Sequence, residues 1–138
     1  MKKIFFSILS LFLAVSVIAQ SSVNPNAKKA ADEMIKIYDL DEKQSVTALE
    51  IQERRYRNLA EIASLESTDK DLYRHKYKAI LQSTDASLRR MLNENQIASY
   101  NERKMDLRER KAEKTAELKE QGLSMTEIED ALLEMEKN

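Results

Sequence analysis

A chain of 138 residues that holds one glycine, Gly122, and one proline, Pro25, lacks the residues that make tight turns. Hairpin turns use glycine for positive φ and proline for a fixed φ, so a β-sandwich, a doubly wound sheet and a glycine-rich phosphate loop are excluded. With 34% of its residues charged, the chain reads as long, solvent-facing helices. It contains no cysteine, and His75 is its only imidazole. Thiol catalysis, zinc knuckles and disulfide frameworks are thereby ruled out, and a Ser-His-Asp arrangement has no spare histidine. The composition argues against an enzyme and implies no cofactor.

The N-terminus reads as a leader. Lys2 and Lys3 precede an apolar run from Ile4 to Ile18, and Val17 and Ala19 stand where signal peptidase reads its substrate. Residues 1–19 are therefore expected to be a signal peptide cleaved before Gln20. A membrane anchor competes with this reading, but the run of about fifteen residues is shorter than the roughly 20 needed to span. No cysteine follows for a lipoprotein anchor. The short leader has a bacterial look and predicts periplasmic or secreted protein, in a compartment without ATP.

Removing the leader removes all three phenylalanines (Phe5, Phe6, Phe12), so the remaining aromatics are Tyr38, Tyr56, Tyr73, Tyr77 and Tyr100. A chain so thin in large apolar side chains struggles to bury the roughly 65% of its unfolded surface that a globule of this size requires. Elongated helices that share apolar surface with a second copy, a homodimer, are the expected solution.

Helix starts are the clearest local signals. Asn24 followed by Pro25 is an N-cap with proline at the first helical position, opening a helix with Ala31, Met34, Ile35 and Tyr38 that should end near Asp39. Asp41 and Gln44 form a capping box for a long second helix, with a stripe of Val46, Leu49, Tyr56, Leu59, Ile62, Ala63 and Leu65. Ser67-Thr68-Asp69 caps a third, carrying Leu72, Tyr73, Tyr77, Ile80, Leu81, Leu88 and Met91. Asn93 and Gln96 repeat the box, here with a hydrophobic staple between Leu92 and Ile97. At the corresponding position after the first box stands Ser45, so that staple is missing. The fourth helix should stop at Gly122, and Ser124 with Glu127 opens a short fifth with Ile128, Leu132 and Met135. The expected fold is all-α with four to five helices. Residues 20–122 form the helical domain and residues 123–138 an acidic C-terminal helix or tail.

The pattern Leu-x-x-x-Gln thus occurs twice, at Leu40/Gln44 and Leu92/Gln96, with the same interval between the leucines and between the glutamines. Behind a signal peptide, in a small helical chain, this resembles the Spy/CpxP family of bacterial periplasmic proteins, whose hallmark is a pair of LTXXQ motifs. Asp41 and Asn93 replace the motif's threonine, and both cap helices at least as well. The resemblance covers residues 26–115. It implies a thin, curved helical cradle that dimerises and an ATP-independent chaperone holding unfolded envelope proteins on its concave face. Some relatives damp an envelope-stress sensor kinase instead, and others bind metals. Leu40, Gln44, Leu92 and Gln96 carry over as fold-determining positions and not as client contacts.

A client surface is read from the basic clusters with nearby Tyr or Leu. The candidates are Arg54, Arg55, Tyr56, Arg74, Tyr77, Arg89 and Arg90, with a further run from Arg103 to Lys111. Such a face attracts acidic unfolded segments and holds them loosely by apolar contact. The competing reading is ordinary solvated helix faces with pairs such as Asp106 and Arg110. Residues 28–111 carry 18 basic and 16 acidic side chains, whereas residues 112–138 carry three basic and eight acidic. That acidic tail either folds back over the basic helices and competes with clients, or serves only as a solubilising terminal helix. His75 sits between Arg74 and Lys76, a poor setting for a metal, and the methionines form no cluster. Net negative charge and the leader disfavour nucleic acid. Three functions remain open: a periplasmic chaperone for unfolded envelope proteins, a regulatory adaptor for a sensor kinase, and a structural coiled-coil-like envelope protein.

Overall fold

A computed structural model describes residues 23–137, and the expected leader and its cleavage site lie outside the described residues. The described chain is all-α, with helices α1 (Pro25–Tyr38), α2 (Glu42–Ile62), α3 (Leu65–Thr68), α4 (Lys70–Met91), α5 (Glu94–Glu120) and α6 (Met125–Lys137). Each helix start has the chemistry expected of it. The Asn24 side chain accepts from the amides of Asn26 (2.9 Å) and Ala27 (3.3 Å) ahead of α1. Asp69 accepts from Leu72 at the start of α4 (3.0 Å). Ahead of α6 the Ser124 amide and hydroxyl donate to the Glu127 carboxylate (2.8 and 2.7 Å), and the Ser124 hydroxyl oxygen accepts from the Glu127 amide (3.4 Å). The α5 helix ends in a Schellman motif, with Gly122 at φ 81, its amide on Lys119 (3.0 Å) and the Leu123 amide on Leu118 (3.1 Å). The left-handed conformation explains why the chain's one glycine is placed there.

The second expected helix is shorter than its stripe suggests. α2 stops at Ile62, and a single turn, α3, intervenes before Asp69 caps α4. The chain reverses there because Ile62 has to pack on Tyr73 and Tyr77 of the returning helix. The buried face also differs. Ala48, Ile51, Gln52 and Ile62 are buried on α2, while Val46, on the opposite side of the first turn, is 58% exposed. On α4, Leu72 faces solvent. On α6 the second fully covered residue is Leu133 rather than Leu132.

The α2 and α4 helices run antiparallel, with an apolar cluster at each end of the pair. At one end Met34 of α1, Leu40, Ala48, Ile51, Leu88, Leu92 and Tyr100 pack together, with Ile97 against them as the expected staple partner of Leu92. At the other, Ile62, Tyr73, Tyr77 and Ile80 are closed by Leu133 of α6. Polar side chains are also buried on the two helices: Gln52 of α2, whose amide donates to the Met34 sulfur (3.2 Å), and Thr84 of α4, whose hydroxyl donates to the Ile80 carbonyl (2.8 Å). α5 leaves from the first end, is about 40 Å long at 1.5 Å per residue, and buries only Tyr100 and Leu118. The α6 helix brings it back to α4 at the second end.

The two capping boxes meet. Gln44 and Gln96, 52 residues apart, bond reciprocally: Gln44 Nε2 donates to Gln96 Oε1 (2.7 Å) and Gln96 Nε2 to Gln44 Oε1 (3.0 Å). Each oxygen also accepts the backbone amide of its own cap, Asp41 (3.1 Å) or Asn93 (3.0 Å). Each nitrogen also donates to the carbonyl ending the opposite preceding helix, Met91 (3.0 Å) for Gln44 and Tyr38 (3.1 Å) for Gln96. Both amides thereby use their two donor and two acceptor positions. Leu40 and Leu92, at the heads of the two motifs, share one apolar cluster beneath them.

Candidate functional site

Because α5 diverges from α4 and is tied back by α6, the three helices enclose an open groove of about 1160 Å³, with Gln52 and Arg55 of α2 at its floor. Its apolar lining comes from Leu81 and Leu88 of α4, Met105 and Leu107 of α5, and Leu132 and Met135 of α6. Six cationic side chains, Arg55, Lys78, Arg89, Lys104, Arg108 and Lys111, face three carboxylates, Asp85, Glu129 and Glu136. Lys78 pairs with Glu129 (3.4 Å), Lys104 with Asp85 (3.0 Å) and Lys111 with Glu136. Arg55, Arg89 and Arg108 are left without an ion-pair partner among the described residues.

The floor is polar and incompletely satisfied. Among the described residues, the Arg55 Nε at the floor and the Tyr77 hydroxyl, which lies outside the groove under α6, are buried without hydrogen-bond partners. Burial raises the Tyr77 hydroxyl above its ordinary pKa, opposed by the positive charge of Arg55. Beside them, burial pushes the Asp85 carboxyl up, but hydrogen bonds from Tyr100 (2.7 Å) and Lys104 outweigh it and leave the group below its ordinary value. Burial, and then donation to Asp85, raises the Tyr100 hydroxyl in turn. Apolar walls with surplus guanidinium groups suit a ligand carrying both apolar side chains and carboxylates.

The residues singled out in the sequence divide among three places. Arg55 and Arg89 line the groove, Arg89 donating to Asn101 (2.9 Å). Arg54 and Arg90 are exposed and share Ser87 Oγ at 2.8 and 3.4 Å, while Tyr56 is half-buried beneath the Arg55 guanidinium, 5.4 Å from its ring centroid. Arg74 and Tyr77 are 8% and 2% exposed and lie under α6. The run from Arg103 to Lys111 contributes Lys104, Arg108 and Lys111 to the groove. The α6 wall and the Asp85–Tyr100 pair were not singled out as site residues, because both depend on which helices meet. Among the described residues no group of His, Asp and Glu is arranged to hold a metal, and no helix is long and apolar enough to cross a membrane.

Asp130 anchors α6 to α4 and sets a pH dependence. Its carboxyl is held below its ordinary 3.8, first by the hydrogen bond from Lys70 and, against some desolvation, by that from Arg74. A carboxylate with a depressed folded value stabilises the fold fully above its unfolded value and loses that contribution as pH falls through the lowered one. The hold on α6 is therefore expected to be complete at neutral pH and to weaken below about pH 4. Hydrogen exchange should show the α6 amides losing protection in acid before those of α2 and α4, and equal loss in all three would refute this.

The fold and groove define a class: a small all-α protein whose paired capping boxes fix a helical frame around an open, cationic and apolar groove. Comparison with the models of known protein families, with curated proteins and with solved structures finds no match to this chain.

Proposed function

We propose that the protein is an ATP-independent periplasmic chaperone that holds unfolded or aggregation-prone envelope proteins in the groove between α4, α5 and α6. The observation that carries this reading is the lining: apolar side chains from three helices interleaved with three guanidinium groups that make no close ion pair among the described residues. Such a surface favours flexible segments with apolar and acidic residues, and its open, partly wet walls favour loose, reversible contact. The leader and the two Leu-x-x-x-Gln motifs support the same reading through their resemblance to Spy/CpxP proteins. The working unit is taken as a homodimer, since Val46 and Leu72, exposed and outside the groove, offer apolar surface that a second copy can cover.

The test follows aggregation of two unrelated unfolding proteins by light scattering, without ATP, across protein ratios and salt concentrations. Suppression of both near equimolar ratio, weakening as salt screens the arginines, is expected. Suppression of neither, with saturable binding to a single sensor-kinase domain, would replace the chaperone by the regulatory adaptor.

A further inference from the structure

The acidic helix α6 lies on the basic helix α4. Asp130 accepts from Lys70 (2.6 Å) and Arg74 (2.8 Å), and Glu129 faces Lys78 (3.4 Å) and Arg74 (3.8 Å). Leu133 fills the cluster of Ile62, Tyr73, Tyr77 and Ile80, and Ile128 is 1% exposed. At the end of the helix Lys137 reaches Glu66 (2.8 Å) and lies over the Tyr73 ring. The connection to α5 is a single turn at Gly122. A short acidic amphipathic helix thus occupies a basic and apolar surface, held by two fully covered side chains and by ion pairs that remain partly exposed. Short helices held in this way open locally at lower cost than the whole fold.

We propose that α6 is an internal competitor: the α4 face beneath it is a binding site for acidic amphipathic segments, α6 is its resident occupant, and a client takes the site by displacing it. The proposal rests on the chaperone reading of the adjoining groove and names the client class. That class is given by α6 itself, an apolar residue followed directly by two acids and, five positions after the first, a second apolar residue, as in Ile128, Glu129, Asp130 and Leu133. Two further observations favour competition over a purely structural tail. Glu129 and Glu136 occupy Lys78 and Lys111 of the groove, so a client entering it meets α6 at once. The sequence also splits its charge, near balance over residues 28–111 and strongly acidic afterwards.

The test titrates a fluorescently labelled peptide of residues 123–138 into the protein purified after expression of the full chain, and into its Glu129→Lys/Asp130→Lys variant, following anisotropy. In the intact protein α6 holds the site, so apparent affinity is reduced by the fraction of molecules that are open. The variant, whose α6 now repels α4, should bind the peptide at least about tenfold more tightly. The peptide carrying the same two lysines should not bind. Raising salt from about 0.05 to 0.5 M should weaken binding severalfold. Equal affinity for intact and variant protein, or no binding to a variant whose circular dichroism and cooperative melting match the intact protein, overturns the proposal. If the variant fails to fold, hydrogen exchange on the unaltered protein decides: α6 amides should exchange at least about tenfold faster than those of α2 and α4, and exchange at a common rate overturns the latch. Peptide binding without aggregation suppression removes the chaperone reading and leaves the competitor. Suppression that is the same for intact and variant protein does the reverse.

Discussion

Gln96→Ala is expected to cost about 2–4 kcal/mol of unfolding free energy, more than a surface glutamine ever contributes. The substitution removes the back-bond of the α5 capping box, a donor to the Tyr38 carbonyl and both bonds to Gln44. It leaves the half-buried Gln44 amide with one acceptor and one donor position unmet, and an unmet buried polar group costs about 1–3 kcal/mol. Gln44→Ala should behave alike, because the Met91 carbonyl and the Asp41 amide take the equivalent places. The double variant should cost less than the sum by about 0.5–3 kcal/mol, since the second substitution removes the group that the first left stranded. Urea unfolding of the four proteins in the cycle measures this. Strict additivity would mean that the two amides do not act as a pair.

Leu92→Ala is expected to cost about 2–5 kcal/mol, a large share of the roughly 5–15 kcal/mol that stabilises a small domain. Leu92 is 6% exposed at the centre of the cluster formed by Met34, Leu40, Ile51, Leu88 and Tyr100. Its neighbours come from α1, α2, α4 and α5, so no one helix can shift to fill the cavity without opening another contact. Val46→Ala, at a position 58% exposed, should stay within about 0.5 kcal/mol of the parent. Thermal and urea midpoints of the two variants side by side test the assignment of the core. Similar losses would place Val46 in an interface that the single chain leaves open.

How legible each feature was follows from how far along the chain its cause reaches. The caps at Asn24, Asp41, Asp69, Asn93 and Ser124 were readable because a cap is a bond between residues two or three apart. Gly122 was readable because only a left-handed residue ends a helix with that bond pattern. The stripes of α2 and α6 were read with errors, at Val46 and at Leu132, because a helix of mixed composition offers several arcs and the neighbouring helix decides which is covered. Ile51, buried in the first cluster together with Ala48 of the same helix, was missed for that reason. The equal spacing of the two Leu-x-x-x-Gln patterns was visible, but not that their glutamines bond to each other, since that depends on the reversal between α2 and α4. The groove was half legible. Its cations stood out as clusters, yet that Arg74 and Tyr77 lie beneath α6 while Arg55 and Arg89 stay open is a matter of packing alone.

Each of Gln44 and Gln96 does to the other what the other does to it, the relation that a two-fold axis imposes on identical subunits in an isologous interface. Here both partners belong to one chain, and the short reversal over residues 63–69 is what makes the closure internal. Were that reversal to straighten into a continuous rod, the first corner of one molecule would meet the second corner of another through the same amide pair and the same leucines. The closed molecule and a helix-for-helix exchanged pair would therefore share one set of bonds at the corners, and would differ at the bend and in the entropy of association.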